Sequence, residues 1–221
     1  ERVLRARLAD AQFFFDEDRK KSLAEHREKL KTVVFQQGLG SMYEKTERLM
    51  ELVTAIVEDL APDAAVYEAM EKDARRAAEL SKADLVTGMV TEFTELQGIM
   101  GREYALLDGE KPEVAYAIDE QYMPRFAGDE LPKSDLGFAL SVADKIDNIV
   151  GTFSQGRIPT GSQDPFALRR QALGLVLMLI ERESGLLLSD LVEEASDLYG
   201  LDVSLCQKMQ VYVADFIRLR L

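Results

Sequence analysis

The stretch Met42–Leu60, MYEKTERLMELVTAIVEDL, decides how the chain reads. Met42, Lys45, Leu49, Leu52, Ile56 and Leu60 recur every three or four residues, the stripe of an amphipathic helix about five turns long. Glu44, Glu47, Glu51 and Glu58 supply much of the polar remainder. One member of the stripe is wrong for a core. Lys45 must snorkel to the surface, give up its proton or find carboxylates.

Helical spacing continues on both sides. Upstream, Leu4, Leu8, Ala11 and Phe15 form a second stripe, and Glu1–Leu8 already reads as helix. Downstream, helices are predicted from Asp63 to about Ala78, around Lys82–Val90 and around Glu95–Leu107. Pro112 suits the first position of another, carrying Val114, Ala117, Ile118 and Tyr122. Ser134–Phe153 is apolar at 136, 139, 140, 142, 143, 146, 149 and 150. Asp164-Pro165 is a helix start, and Pro165–Glu183, apolar through Leu173–Ile180, reads as the central helix. Ser189–Tyr199, stopped by Gly200, and Ser204–Leu219 complete the set. Residues 123–132 and 154–164 are the two long connections. Thr32–Phe35 is the one short β-branched run. The expected class is all-α, with a multi-helix core over 1–153 and a C-terminal helical layer over 154–221, or both as one continuous domain.

Composition narrows the function. The 221 residues carry 27 Lys+Arg against 40 Asp+Glu, a net charge of −13, which excludes a uniformly electropositive surface for wrapping a phosphate backbone. Cys206 is the single cysteine and His26 the single histidine, so an intrachain disulfide, a four-cysteine zinc site and any two-histidine metal site are excluded. The longest apolar run, Leu173–Ile180, is far below the ~18 residues of a membrane span. A helical start without Met and a helical end without a cap lead us to expect an excised piece of a longer cytoplasmic protein with no membrane partner.

Long ordered blocks then carry a specific resemblance. They are Glu1–Phe15 (ERVLRARLADAQFFF), Leu80–Thr87 (LSKADLVT), Glu92–Gly101 (EFTELQGIMG), Gln121–Asp129 (QYMPRFAGD) and Asp164–Arg170 (DPFALRR). Together they resemble the β subunit of bacterial heterotetrameric glycyl-tRNA synthetase over nearly the whole chain, in its helical HD-like region. The resemblance implies a role in the ATP-dependent attachment of glycine to tRNA, with the α subunit and tRNA as partners. It implies a non-catalytic scaffold here and no cofactor on this piece. ATP and magnesium are expected at the α subunit.

HD-type hydrolases hold a divalent cation with a histidine, a His-Asp pair and a distant aspartate. The resemblance places these positions on Lys45, Ala83-Asp84 and Asp144. Both aspartates persist and both histidines are gone. The expectation is that the Lys45 ammonium bridges Asp84 and Asp144 where a metal once sat. Two other readings stay open: three unrelated surface charges, or a retained cation on Asp84, Asp144 and Glu92 with phosphohydrolase activity. A helical interaction module with no nucleic-acid role is a further alternative.

Arg157, Arg169 and Arg170 flank the loop at 154–164 and the helix start after it. A helix N-terminus with arginines beside it can bind phosphate, so these three are the candidate tRNA contacts, unless Asp164 caps the helix and nearby acids pair the arginines. Arg2, Arg5 and Arg7 are expected to pack against a preceding domain. Lys20, Lys21, Arg27, Lys29 and Lys31, interspersed with acids, read as a solvated face, and His26 as solvated with them. Phe13-Phe14-Phe15 cannot all face one side of a helix. Gly98 and Gly101 are expected to permit close helix packing, and Cys206 to fill space.

Overall fold

The computed structural model describes residues 2–161 and 163–219; the side chains of residues 2, 3, 4 and 6 are outside that description. The expectations for Glu1, for the side chains of Arg2 and Leu4, and for the final Arg220-Leu221 therefore lie outside the described residues. Among the described residues the fold is all-α, with two isolated β-bridges, Val34–Ser41 and Thr160–Gln163, and no strand. The β-branched run at 32–35 thus makes a single bridge that brings the chain to the start of the striped helix.

Helix α1 spans Arg2–Asp18 and α2 spans Leu23–Arg27. The striped segment is α3, Met42–Leu60, and α4, Ala64–Leu80, follows after three residues. Ser41 opens α3 with a capping box: its Oγ accepts from Glu44 N while Glu44 accepts from Ser41 N at 2.7 Å. The segment after α4 breaks where one helix was expected over 82–90. A 3₁₀ turn covers Ala83–Val86 and α5 covers Gly88–Glu92. Thr87 causes the break, because its Oγ1 accepts from Val90 N and so caps a new helix. The next stretch divides likewise into a 3₁₀ turn, Thr94–Leu96, and α6, Ile99–Leu107. Then come α7 (Pro112–Glu120), α8 (Asp135–Ser154), α9 (Leu168–Glu181), α10 (Leu188–Leu198) and α11 (Val203–Arg218).

The central helix is α8, not the expected 165–183 segment. Every residue from Leu136 to Phe153 except Asn148 is buried, and α3, α4, α7, α9, α10 and α11 pack around it. A helix that is apolar on all sides belongs inside. Helix α9 is apolar too, but Leu173, Leu177 and Ile180 stand on its exposed face. One buried cluster runs through α3, α4, α7 and α8 and on into α9, α10 and α11.

Two further corrections concern charge. His26 is buried, its Nε2 2.9 Å from the Asp18 carbonyl oxygen. Arg27 is buried as well, donating to Thr46 Oγ1 at 3.1 Å and to Glu47, with its guanidinium 4.0 Å from the Tyr43 ring centroid. Lys20, Lys21, Lys29 and Lys31 are exposed. Phe13 is exposed, whereas Phe14 and Phe15 pack on the core, Phe15 stacked on Tyr104. Asp18 at the end of α1 docks that helix: its carboxylate accepts from Gly88 N, Met89 N and Tyr104 Oη. Cys206 is buried.

Candidate functional site: a buried ion cluster beside a cationic cavity

Lys45 leaves the polar world at the second turn of α3. Its side chain is 2% exposed and points at α8. There it donates to Asp147 Oδ2 at 2.6 Å and Asn148 Oδ1 at 2.9 Å, and it lies 3.0 Å from Asp144 Oδ1. Of the three fates open to a lysine on an apolar stripe, it takes carboxylates. Asp144 and Asp147 are three apart on α8 and so share a face.

Asp147 is the hub. It is fully buried, and it also accepts from Arg48 Nε at 2.7 Å and Tyr199 Oη at 3.0 Å. Burial alone would raise its carboxyl; Lys45 and Arg48 outweigh that and hold it below the ordinary range. Asp144 receives a second ammonium, Lys82 Nζ, also at 3.0 Å. Burial opposes its ionisation as well, yet Lys45, Lys82 and Lys145 keep it well below the usual carboxylate value.

Asp84 does not join Lys45. Its Oδ2 accepts from Gly98 N at 2.7 Å, and desolvation, only partly offset by the Gly98 and Gly101 amides and by Lys82, pushes its carboxyl up to about 6. The backbone comes this close because Gly98 adopts φ +82° and Gly101 lacks a side chain. A Cβ at Gly101 would lie 2.7 Å from Ile118 Cγ2 on α7 and 3.2 Å from the Asp84 carboxylate. The two glycines thus pack α6 against α7 and seat Asp84.

The expected bridge is therefore redrawn: Lys45 spans Asp144 and Asp147, while Lys82 lies beside Asp144. Asp147 is missed by the sequence because the HD pattern singles out only one aspartate on this helix. The surplus of charge in an otherwise apolar helix, Asp144-Lys145-Ile146-Asp147, is its available signal.

These residues do not fit a divalent cation. Two ammonium groups stand 3.0 Å from Asp144, and one Asp84 oxygen is taken by a backbone amide. Glu92, the third carboxylate of the metal reading, is exposed. Among the described residues no three His, Cys, Asp or Glu side chains form a metal-holding group.

A cavity of about 460 Å³ opens beside the cluster, lined among others by Lys45, Lys82, Tyr122, Asp144, Lys145 and Arg170. Of the three candidate arginines, Arg170 alone lines it. Arg157 is exposed on the loop after α8, and Arg169 is half-buried at the first turn of α9. Among the described residues none of the three forms an ion pair. Asp164 spends both carboxylate oxygens on the helix start, accepting from Leu168 N at 2.8 Å and Arg169 N at 2.9 Å. Those two amides are not free for a phosphate.

No helix among the described residues is long and apolar enough to cross a membrane. Comparison with known proteins adds the lineage. A sequence model described as the glycyl-tRNA synthetase beta subunit matches residues 1–221. The glycine–tRNA ligase beta subunit of Halothermothrix orenii is 57% identical over 192 residues, 87% of this chain and 27% of that protein. That of Clostridioides difficile is 56% identical over 200 residues, 90% of this chain and 28% of the relative. The Citrifermentans bemidjiense protein is 52% identical over 219 residues, 99% of this chain and 31% of its own length. The chain thus spans somewhat under a third of the relatives it matches. A match from end to end, with relatives above half identical, shows that the chain belongs to the glycyl-tRNA synthetase beta subunit family.

Proposed function

We propose that these residues act as a non-catalytic helical scaffold within a glycine–tRNA ligase, supporting tRNA binding and assembly with the α subunit during ATP-dependent glycylation of tRNA in the cytoplasm. ATP and magnesium belong, on this reading, to the α subunit. The observation that carries the non-catalytic part is Lys45. An ammonium 3.0 Å from Asp144 repels a cation where an HD-type hydrolase would hold one. A phosphohydrolase reading lacks the ligands it needs.

The net charge of −13 favours local rather than enveloping contact with nucleic acid. Arg157, Arg169 and Arg170 are the proposed contacts, because their guanidiniums carry no ion pair among the described residues. The test is Arg157→Ala/Arg169→Ala/Arg170→Ala in the intact β subunit assembled with α. Weaker tRNA binding is expected, with the slope of log affinity on log salt reduced by roughly 0.7–0.9 for each phosphate that is no longer neutralised. Unchanged affinity and slope would remove these residues from the tRNA surface.

A further inference from the structure

The cavity beside the ion cluster has a charge opposite to that of the protein. Lys45, Lys82, Arg125, Lys145 and Arg170 line it, against Asp144 and Glu95. Its volume of about 460 Å³ lies in the range of small-molecule sites.

What the cavity attracts depends on how much of that charge is already satisfied. Lys45 donates to Asp147 Oδ2 and Asn148 Oδ1 and lies 3.0 Å from Asp144 Oδ1. Arg125 is paired with Asp119. Lys82 meets one carboxylate oxygen, on Asp144, and otherwise lies 4.4 Å from the Tyr122 ring centroid. Lys145 is 4% exposed and donates only to uncharged oxygens: Ser141 Oγ at 2.6 Å, Met123 O at 2.7 Å and Gln121 O at 3.4 Å. Arg170 is exposed at the rim and carries no ion pair among the described residues. Lys82 and Lys145 are thus buried beside Asp144, which Lys45 also contacts, while Arg170 stands at the rim without an ion pair among the described residues.

We propose that this cavity binds a phosphate group, through Arg170, Lys82 and Lys145. A phosphate monoester carries close to two negative charges, which a lining of five basic side chains against two acidic ones complements. The planar guanidinium of Arg170 can take two of its oxygens at once. Lys145 adds a pH signature. Burial first, then Lys82 and Arg125, outweigh Asp144 and hold its ammonium down at about 7, while Ser141, Gln121 and Met123 offer only neutral oxygens. A bound phosphate restores the proton, so affinity falls as pH rises from 7 towards 9. Two sources share this chemistry: the phosphate of a free nucleotide and the 5′-phosphate of an RNA end. Binding of either needs no tRNA role for the chain.

The test is titration calorimetry of pyrophosphate into the intact polypeptide that carries these residues, purified without its α partner. One site per chain is expected. Arg170→Ala should weaken binding about tenfold or more, the scale of one charge-assisted hydrogen bond. The charge reversal Arg170→Glu, at an exposed position, should abolish it. The double variant Arg157→Ala/Arg169→Ala should leave it unchanged, which separates this site from the proposed tRNA surface. Displacement of pyrophosphate by ADP but not by a 5′-phosphorylated RNA oligonucleotide assigns a free nucleotide. Displacement by that oligonucleotide but not by its 5′-hydroxyl form assigns a strand end. No pyrophosphate binding, full binding by Arg170→Glu, or displacement by neither competitor would overturn the proposal.

Discussion

Lys45 on α3 and Asp147 on α8 are 102 residues apart in sequence, yet their side-chain nitrogen and oxygen lie 2.6 Å apart with both side chains out of solvent. This ion pair pins the striped helix to the central one. Taking two charges out of water is costly, and mutual attraction offsets that cost only when the remaining donors and acceptors are satisfied. Here Asn148 accepts a second Lys45 proton, and Arg48 and Tyr199 donate to Asp147.

Removing the hub should therefore cost more than a surface ion pair would. Asp147→Ala leaves Lys45 and Arg48 without their shared carboxylate, and a destabilisation of about 3–5 kcal/mol is expected. Lys45→Met should cost less, because Asp147 keeps Arg48 and Tyr199. Urea unfolding midpoints of the intact polypeptide measure both. Equal effects below about 1 kcal/mol would make the cluster ornamental.

Asp84 gives a pH dependence of opposite sign to an ordinary ion-paired carboxylate. Its folded value, about 6, lies above the ordinary 3.8, so the native state holds the proton more tightly. Its contribution then favours folding at low pH and declines as pH rises through about 4 to 6. Asp84→Asn keeps an oxygen for the Gly98 amide and removes the charge. The variant should be more stable than the parent at pH 7 and should lose that advantage by pH 4. Unfolding curves across this range decide; a constant difference would refute it.

Lys145 acts in a separate window. Its folded value of about 7 lies below the ordinary 10.5, so the native state binds the proton less tightly. Its contribution to stability rises with pH between about 7 and 10. Lys145→Met should flatten that rise while leaving the slope between 4 and 6 intact. A variant whose alkaline slope matches the parent would place Lys145 outside the cluster's electrostatics.

Gly101→Ala should destabilise despite the higher helix propensity of alanine, worth up to about 1 kcal/mol. The new methyl meets Ile118 Cγ2 and the Asp84 carboxylate inside a packed interface. Overpacking of this kind costs about 1–3 kcal/mol. Thermal melting of the parent and the variant checks the sign, and a raised midpoint would mean that α6 and α7 separate without penalty.

Much of this is legible in the residues, for reasons that differ by position. The α3 stripe fixes both the helix and the strain placed on Lys45, since a lysine between Met42 and Leu49 has few fates. Which acids it meets is not legible. Asp144 and Asp147 share one face of α8, and that Lys45 meets both of them rather than Asp84 depends on how α3 crosses that helix. The apolar pattern points to α9 as central, and wrongly so, because a run such as Leu173–Ile180 is equally apolar whether all of it is buried or half of it faces outward. His26 and Arg27 look solvated among their charged neighbours. Their burial depends on the Asp18 carbonyl, Thr46 and Tyr43, all outside their immediate segment. Arg170 is legible as a cation near a helix start, but its place on a cavity wall requires α3, α8 and the segment after α4 to converge.

On the reading proposed above, the Lys45 and Lys82 ammonium groups beside Asp144 exclude a divalent metal from this cluster. Elemental mass spectrometry of the intact protein, purified without chelator, tests this directly. Less than about one-tenth of an equivalent of any divalent metal is predicted from two ammoniums beside Asp144. A stoichiometric divalent metal, retained through dialysis and absent from Asp144→Asn, would contradict the claim.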